Sequence, residues 1–174
     1  MKISMHTVAV ESFIPMLTSL SGVLEEGAAY AKDKKVDLMS ARLAPDMYTL
    51  SQQVQLACDH AREGVSRLTG IEAPRFENNE KTIGDLGTRI EKTVNYLKSA
   101  STSAFEGAED RDCSIQIPND LVIVMNGAQF LCAWALPHFY FHVVTAYDIL
   151  RHHGVTIGKQ DYLSQIAGFI HPRT

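Results

Sequence analysis

The sequence has few cysteines and no long uncharged apolar run, and each absence excludes a class of protein. Its three cysteines among 174 residues are widely spaced and form no C-x-x-C pair. A disulfide framework or a zinc knuckle is therefore not expected, and reduced thiols fit the cytoplasm best. No stretch reaches the roughly 18 uncharged apolar residues that a membrane span requires. The first six residues also lack the apolar region of a secretory signal.

An excess of basic residues is also absent. The chain has 16 Lys and Arg against 20 Asp and Glu, which gives a net charge of −4. Because a nucleic-acid binder normally shows a basic face, we expect no nucleic-acid partner. Hydrophobic residues make up 45% and charged residues 21%, as in ordinary globular proteins. The length predicts a single domain over residues 1–174.

Apolar residues recur at spacings of three and four along three segments, which predicts amphipathic helices there. The first covers residues 8–34, or begins near Phe13 if Pro15 must lie in its first turn. The second covers 47–68, with Asp46 or Thr49 as its cap. The third covers 82–100 and begins with a capping box.

The apolar period then changes to two, which favours a short β-hairpin. Residues 114–117 alternate, 118–120 form a turn, and 121–125 are rich in β-branched side chains. A two-stranded hairpin is marginally stable in water by itself, so it should pack on the helices.

A fourth helix is predicted from Gly127 to His153, and it is apolar on nearly all sides. Such a helix is normally buried on most of its surface. The other helices would cover only part of it, and the hairpin, the C-terminal tail or a second subunit must cover the rest. We therefore expect a homodimer with this helix near the interface. The sequence thus predicts a mainly all-α fold: an antiparallel four-helix bundle with a short β-hairpin before the fourth helix.

Three of the seven histidines suggest a metal site. His138 and His142 are four residues apart, which places two imidazoles on one face of the fourth helix. His60 lies in the middle of the second helix, flanked by the small residues Ala57, Ala61 and Gly64. Three imidazoles converging in a bundle core would suit Zn²⁺ or Ni²⁺. Three protein ligands with one open position are typical of a catalytic metal.

A simpler interpretation is that these are buried histidines hydrogen-bonded to other side chains, with no metal at all. An H-x-x-x-H pair often arises by chance. Pro137 directly precedes His138, and a kink there would either aim that imidazole or be a neutral irregularity of the core.

The arrangement resembles the DinB/YfiT-like superfamily of proposed metalloenzymes. Segments 43–47, 59–61, 139–142 and 145–152 resemble one of its branches, bacterial proteins known only as a domain of unknown function. The resemblance covers nearly the whole chain. It implies a four-helix bundle, often dimeric, whose metal is held by His60, His138 and His142. Characterised relatives include thiol-dependent isomerases and thiol S-transferases, in which a metal would activate a bound thiol or water.

One departure from the branch matters. Asparagine often stands in the branch where His138 stands here, so His152 near the helix end becomes a rival third ligand. We expect Tyr140, Tyr147 and Asp148 as possible hydrogen-bond partners of the ligands. For the two tyrosines, core packing is the simpler role.

Two functional hypotheses follow. The first is a metal-dependent enzyme, either thiol-transferase-like or hydrolase-like, acting on an unknown small molecule. The second is a metal-free dimeric module that binds a small molecule or another protein and performs no chemistry.

Overall fold

The computed structural model describes residues 3–171, most of which are helical. The first helix is Met5–Lys34 and is capped by the Ser4 side chain. The second is Leu50–Thr69, with a capping box between Thr49 and Gln52. The third is Ile83–Ser99, with a capping box between Thr82 and Asp85. These bounds agree with the predicted ranges to within about three residues.

The predicted hairpin is present and slightly longer than expected. Strand β1 is Asp112–Ile117 and strand β2 is Leu121–Asn126, paired antiparallel. The turn between them places Asn119 and Asp120 in the left-handed backbone region, at φ values of 67° and 56°. Asparagine and aspartate tolerate that region better than other non-glycine residues.

The fourth helix runs through three consecutive segments: Gly127–Gln129, the π-helical Phe130–Ala135, and Leu136–His152. Pro137 has no N–H to donate to the carbonyl of Ala133, so an ordinary α-helical bond is impossible at this turn. The wider π-helical turn directly before the proline accommodates that loss. The irregularity expected at Pro137 is therefore a π-helical turn just before the proline.

The predicted count of four helices is not confirmed. The residues that the structure describes also contain shorter helices, which the periodicity did not indicate because each is only one or two turns long. They are Thr102–Phe105, Ala108–Asp110, Lys159–Tyr162 and Ser164–Phe169.

The long helices enclose a shared apolar core. The first helix packs on the third and the fourth, while the second also contacts both. Close approach requires small residues: a Cβ on Gly64 would lie 3.3 Å from the ring of Phe13 and 3.5 Å from Ala135. Gly64 therefore sets the second helix close to the fourth, which is the contact that forms the candidate site.

The first helix contains an 18-residue window of mean hydropathy 1.4, long and apolar enough in composition to cross a membrane. Four of its core-facing side chains, Phe13, Leu17, Leu20 and Leu24, are at most 1% exposed within this fold. Packing against the other helices accounts for that apolar content.

Candidate functional site

His60, His138 and His142 lie side by side where the second and fourth helices meet. The ring centroids of His60 and His138 are 4.8 Å apart, with planes nearly perpendicular at 82°. The centroids of His60 and His142 are 5.3 Å apart, with planes nearly parallel at 10°. The structure thus brings the three predicted ligands into one cluster.

Gln53, which the sequence did not single out, orients His142. The Gln53 Oε1 atom lies 2.7 Å from His142 Nδ1, and the two residues are 1% and 8% exposed. The Gln53 Nε2 atom donates to the carbonyl of Tyr48 at 3.3 Å. Because the amide nitrogen is used there, Oε1 faces the histidine and Nδ1 must carry the proton. The Nε2 lone pair of His142 is therefore available as a ligand.

Two of the three imidazoles are held neutral. Burial, together with repulsion from His138, lowers the pKa of His142 from its usual 6.5 to about 4. Burial also lowers the pKa of His60 to about 4, with smaller contributions from His138 and His142 that outweigh the opposing charge of Asp59. A neutral imidazole at pH 7 is the form that binds metal.

The three imidazoles are suitable ligands for a metal, but their side chains are not positioned to bind one. Ligand bonds of about 2.1 Å would place the centroids of two imidazoles on one tetrahedral metal roughly 5 Å apart. The two distances above are close to that value. However, within residues 3–171 no group of three or more His, Cys, Asp or Glu side chains is placed to hold a metal ion. Metal binding would therefore require at least one imidazole to rotate.

A cavity of about 120 Å³ opens beside His60. Its walls are formed by the second helix, the π-helical segment and the hairpin. The lining residues are His60, Glu63, Gly64, Arg67, Ile115, Phe130, Trp134 and Ala135. The Trp134 ring also lies 4.3 Å from that of His138, so the only tryptophan of the chain contacts the histidine cluster.

Three of the other candidates lie away from the cluster. Tyr147 and Asp148 line a separate cavity of about 150 Å³ with Tyr162 and Lys159. His152 is exposed and lies ten residues beyond His142, about 15 Å along the helix axis. It pairs with the ring of His153 instead. Its role as a rival ligand finds no geometric support.

Tyr140 is half-buried and packs edge-on against Phe139 at 5.4 Å between ring centroids. This contact agrees with the core-packing role that the sequence offered for the tyrosines.

A buried charge network lies on the second helix next to His60, and the sequence analysis missed it. Asp59 Oδ1 accepts from Arg62 at 3.0 Å and from Arg89 of the third helix at 2.9 Å. Arg89 also binds Glu80 at 2.8 Å, and both guanidinium groups lie over the ring of Phe76. The spacing of Asp59 and Arg62 was a visible signal for one pair. The network fixes the loop before the third helix onto the second helix.

The chain is similar to known proteins over nearly its whole length. Residues 5–163 match the family model described as "Domain of unknown function (DUF1993)". A crystal structure of a DinB family member protein from Shewanella denitrificans is 38% identical, with a TM-score of 0.84. That similarity covers 97% of this chain and 94% of the other. No curated protein matches the chain.

Proposed function

We propose, given that this chain belongs to the DUF1993 domain-of-unknown-function family, that it is a metal-dependent enzyme with His60, His138 and His142 as ligands. The reaction would be of the thiol-transferase or hydrolase type. The observation that carries this proposal is the cluster of three imidazoles, two of them neutral at pH 7. Such a set of nitrogen donors suits Zn²⁺ or Ni²⁺.

The residues around the cluster have distinct roles in this proposal. Gln53 would fix the tautomer and the ring orientation of His142, as partners of ligating histidines commonly do. Trp134 would cover His138 and exclude bulk water from that side. A bound divalent metal would lower the pKa of a coordinated thiol or water and so supply a nucleophile at neutral pH. The cavity beside His60 would admit the second reactant.

Metal analysis of protein purified without a polyhistidine tag tests the proposal. We expect close to one equivalent of metal after reconstitution with Zn²⁺ or Ni²⁺. His60→Ala and His142→Ala should each lower it below about a tenth of an equivalent, as expected when one of few ligands is lost. His152→Ala, an exposed histidine on the same helix, is the matched control and should leave it unchanged. Wild-type protein that takes up less than a tenth of an equivalent would refute a metal site.

One observation supports the dimer in the second candidate, a metal-free dimeric binding or interaction module. The fourth helix exposes Phe141 and Val144, at 57% and 40%, although most of its apolar residues are buried. A second copy of the chain would cover these side chains. Sedimentation equilibrium at micromolar concentration tests the homodimer. Phe141→Ser should weaken association about tenfold, as expected for an apolar anchor at an interface, whereas a wild-type monomer would exclude the dimer.

We further infer that residues 1–174 form one domain, that the four long helices form an antiparallel bundle of the DinB type, and that the protein is cytoplasmic. The similarity in fold to the DinB family member supports the second inference.

A further inference from the structure

The cavity beside His60 carries two opposite charges at its edge, and these are arranged along one face of the second helix. His60, Glu63 and Arg67 follow one another at spacings of three and four residues. This spacing places their side chains in a row on the helix surface. All three residues line the same cavity.

Neither charge at this edge belongs to an ion pair in the described part of the chain. Among residues 3–171, the ion pairs involve Lys34, Arg62 and Arg89 as cations and include neither Glu63 nor Arg67. Arg67 uses its Nη1 atom to donate to the carbonyl of Ser114 in the hairpin, at 3.0 Å. That bond holds the side chain in place, while a guanidinium has further N–H groups for a second acceptor.

The rest of the cavity is apolar and small. Phe130, Trp134 and Ala135 of the fourth helix form one wall, and Ile115 of the hairpin forms another. A volume of about 120 Å³ is somewhat smaller than a cavity that holds benzene. The cavity therefore fits a molecule smaller than benzene, or the end of a larger one, with about five non-hydrogen atoms.

We propose that this cavity binds a small zwitterion of the α-amino acid type. The carboxylate would accept from Arg67, the ammonium group would donate to Glu63, and the short side chain would point towards His60 between Trp134 and Ile115. Cβ atoms one helical turn apart are about 5–6 Å from each other, a spacing that the two charges of an amino acid can bridge. The role of this molecule as a substrate rests on the function proposed above, whereas its binding by Arg67 and Glu63 does not.

Binding can be followed at Trp134, because it is the only tryptophan of the chain and lines the cavity. L-Alanine, propionate and ethylamine are the probes, and each is titrated into chelator-treated protein while the indole N–H signal is recorded by NMR. We expect L-alanine to bind at least about fivefold more tightly than either singly charged probe. Equal binding of propionate and L-alanine would overturn the zwitterion proposal. So would the absence of any L-alanine binding at a concentration of about 100 mM, which is enough to detect a weak ligand.

Two substitutions test the two charges separately. Arg67→Gln should weaken L-alanine binding about tenfold, the loss of one charge-assisted contact. Arg42→Gln is the matched control, since Arg42 is also exposed and donates to a backbone carbonyl, that of Pro45. Should Arg67→Gln release the hairpin and unfold, Glu63→Gln still tests the ammonium contact. It should reduce L-alanine binding to the level of propionate, and an unchanged affinity would overturn the proposal.

The two proposals fail in different ways. Persistent L-alanine binding that depends on Arg67, in protein that takes up no metal, would support the zwitterion site and refute the metal enzyme. Binding that needs added Zn²⁺ and ignores Arg67→Gln would mean that the amino acid chelates the metal. That outcome would overturn the zwitterion site and leave the metal proposal intact.

Discussion

Replacing His142 by leucine should change the pH dependence of stability in the metal-free protein. The wild-type side chain is 8% exposed and hydrogen-bonded to Gln53. His142→Leu removes the titrating group and leaves the buried Oε1 of Gln53 without its partner. An unsatisfied buried acceptor costs about 1–3 kcal/mol, so near pH 7 the variant should be less stable by about 2 kcal/mol.

At acidic pH the wild type loses its advantage in stability over His142→Leu. The pKa of His142 is lowered from 6.5 to about 4 in the folded protein. The unfolded chain therefore binds the proton more tightly, and wild-type stability falls as the pH drops from 6.5 towards 4. For these two values the linkage relation gives a loss of about 2 kcal/mol at pH 5 and about 3 kcal/mol at pH 4. The stability difference between wild type and His142→Leu should thus vanish near pH 5.

Urea unfolding of chelator-treated protein at pH 7, 6, 5 and 4.5, followed by far-UV circular dichroism, measures the difference directly. His60 titrates in both proteins, so the part of its contribution that comes from burial, the largest cause of its pKa shift, cancels in that difference. A difference that stays constant from pH 7 to 4.5 would show that His142 is not held neutral by its burial.

Three further substitutions test the packing of the fold by urea unfolding. Gly127→Ala should cost at least about 2 kcal/mol, because its Cβ would lie 1.8 Å from the carbonyl oxygen of Ala108. Gly22→Ala, in a helix interior with nothing within 4 Å, should instead stabilise by about 0.5–1 kcal/mol, and equal effects would contradict the geometry. Arg89→Met should cost about 3–5 kcal/mol, because two carboxylates lose a buried partner. A cost below about 1 kcal/mol would mean that the network contributes little.

The features of the fold that the sequence predicted correctly are set by residues close together in the chain. Thr82 and Asp85 form the expected capping box, and Thr49, one of two suggested caps, closes the second helix with Gln52. The hairpin turn appears at the predicted residues because Asn119 and Asp120 suit a left-handed backbone. The short helices after Gly158 were missed, since one or two turns carry no measurable period.

The candidate site was partly predictable for the same reason. The i to i+4 spacing placed His138 and His142 on one face, and the small residues around His60 indicated a close approach by another helix. The partner of His142 was not predictable, because Gln53 lies 89 residues away in sequence and only packing joins them. The same holds for Arg89, whose partner Asp59 is 30 residues distant.

The π-helical segment Phe130–Ala135 can be viewed as one surplus residue inserted into an otherwise regular helix. Before it, Gly127 is held against the backbone of Ala108. After it, His138 and His142 must face His60. One extra residue turns everything beyond it by about 100° around the helix axis, since an α-helix has 3.6 residues per turn. A single-residue deletion in this segment would therefore rotate both histidines away from the second helix while leaving the hairpin junction in place.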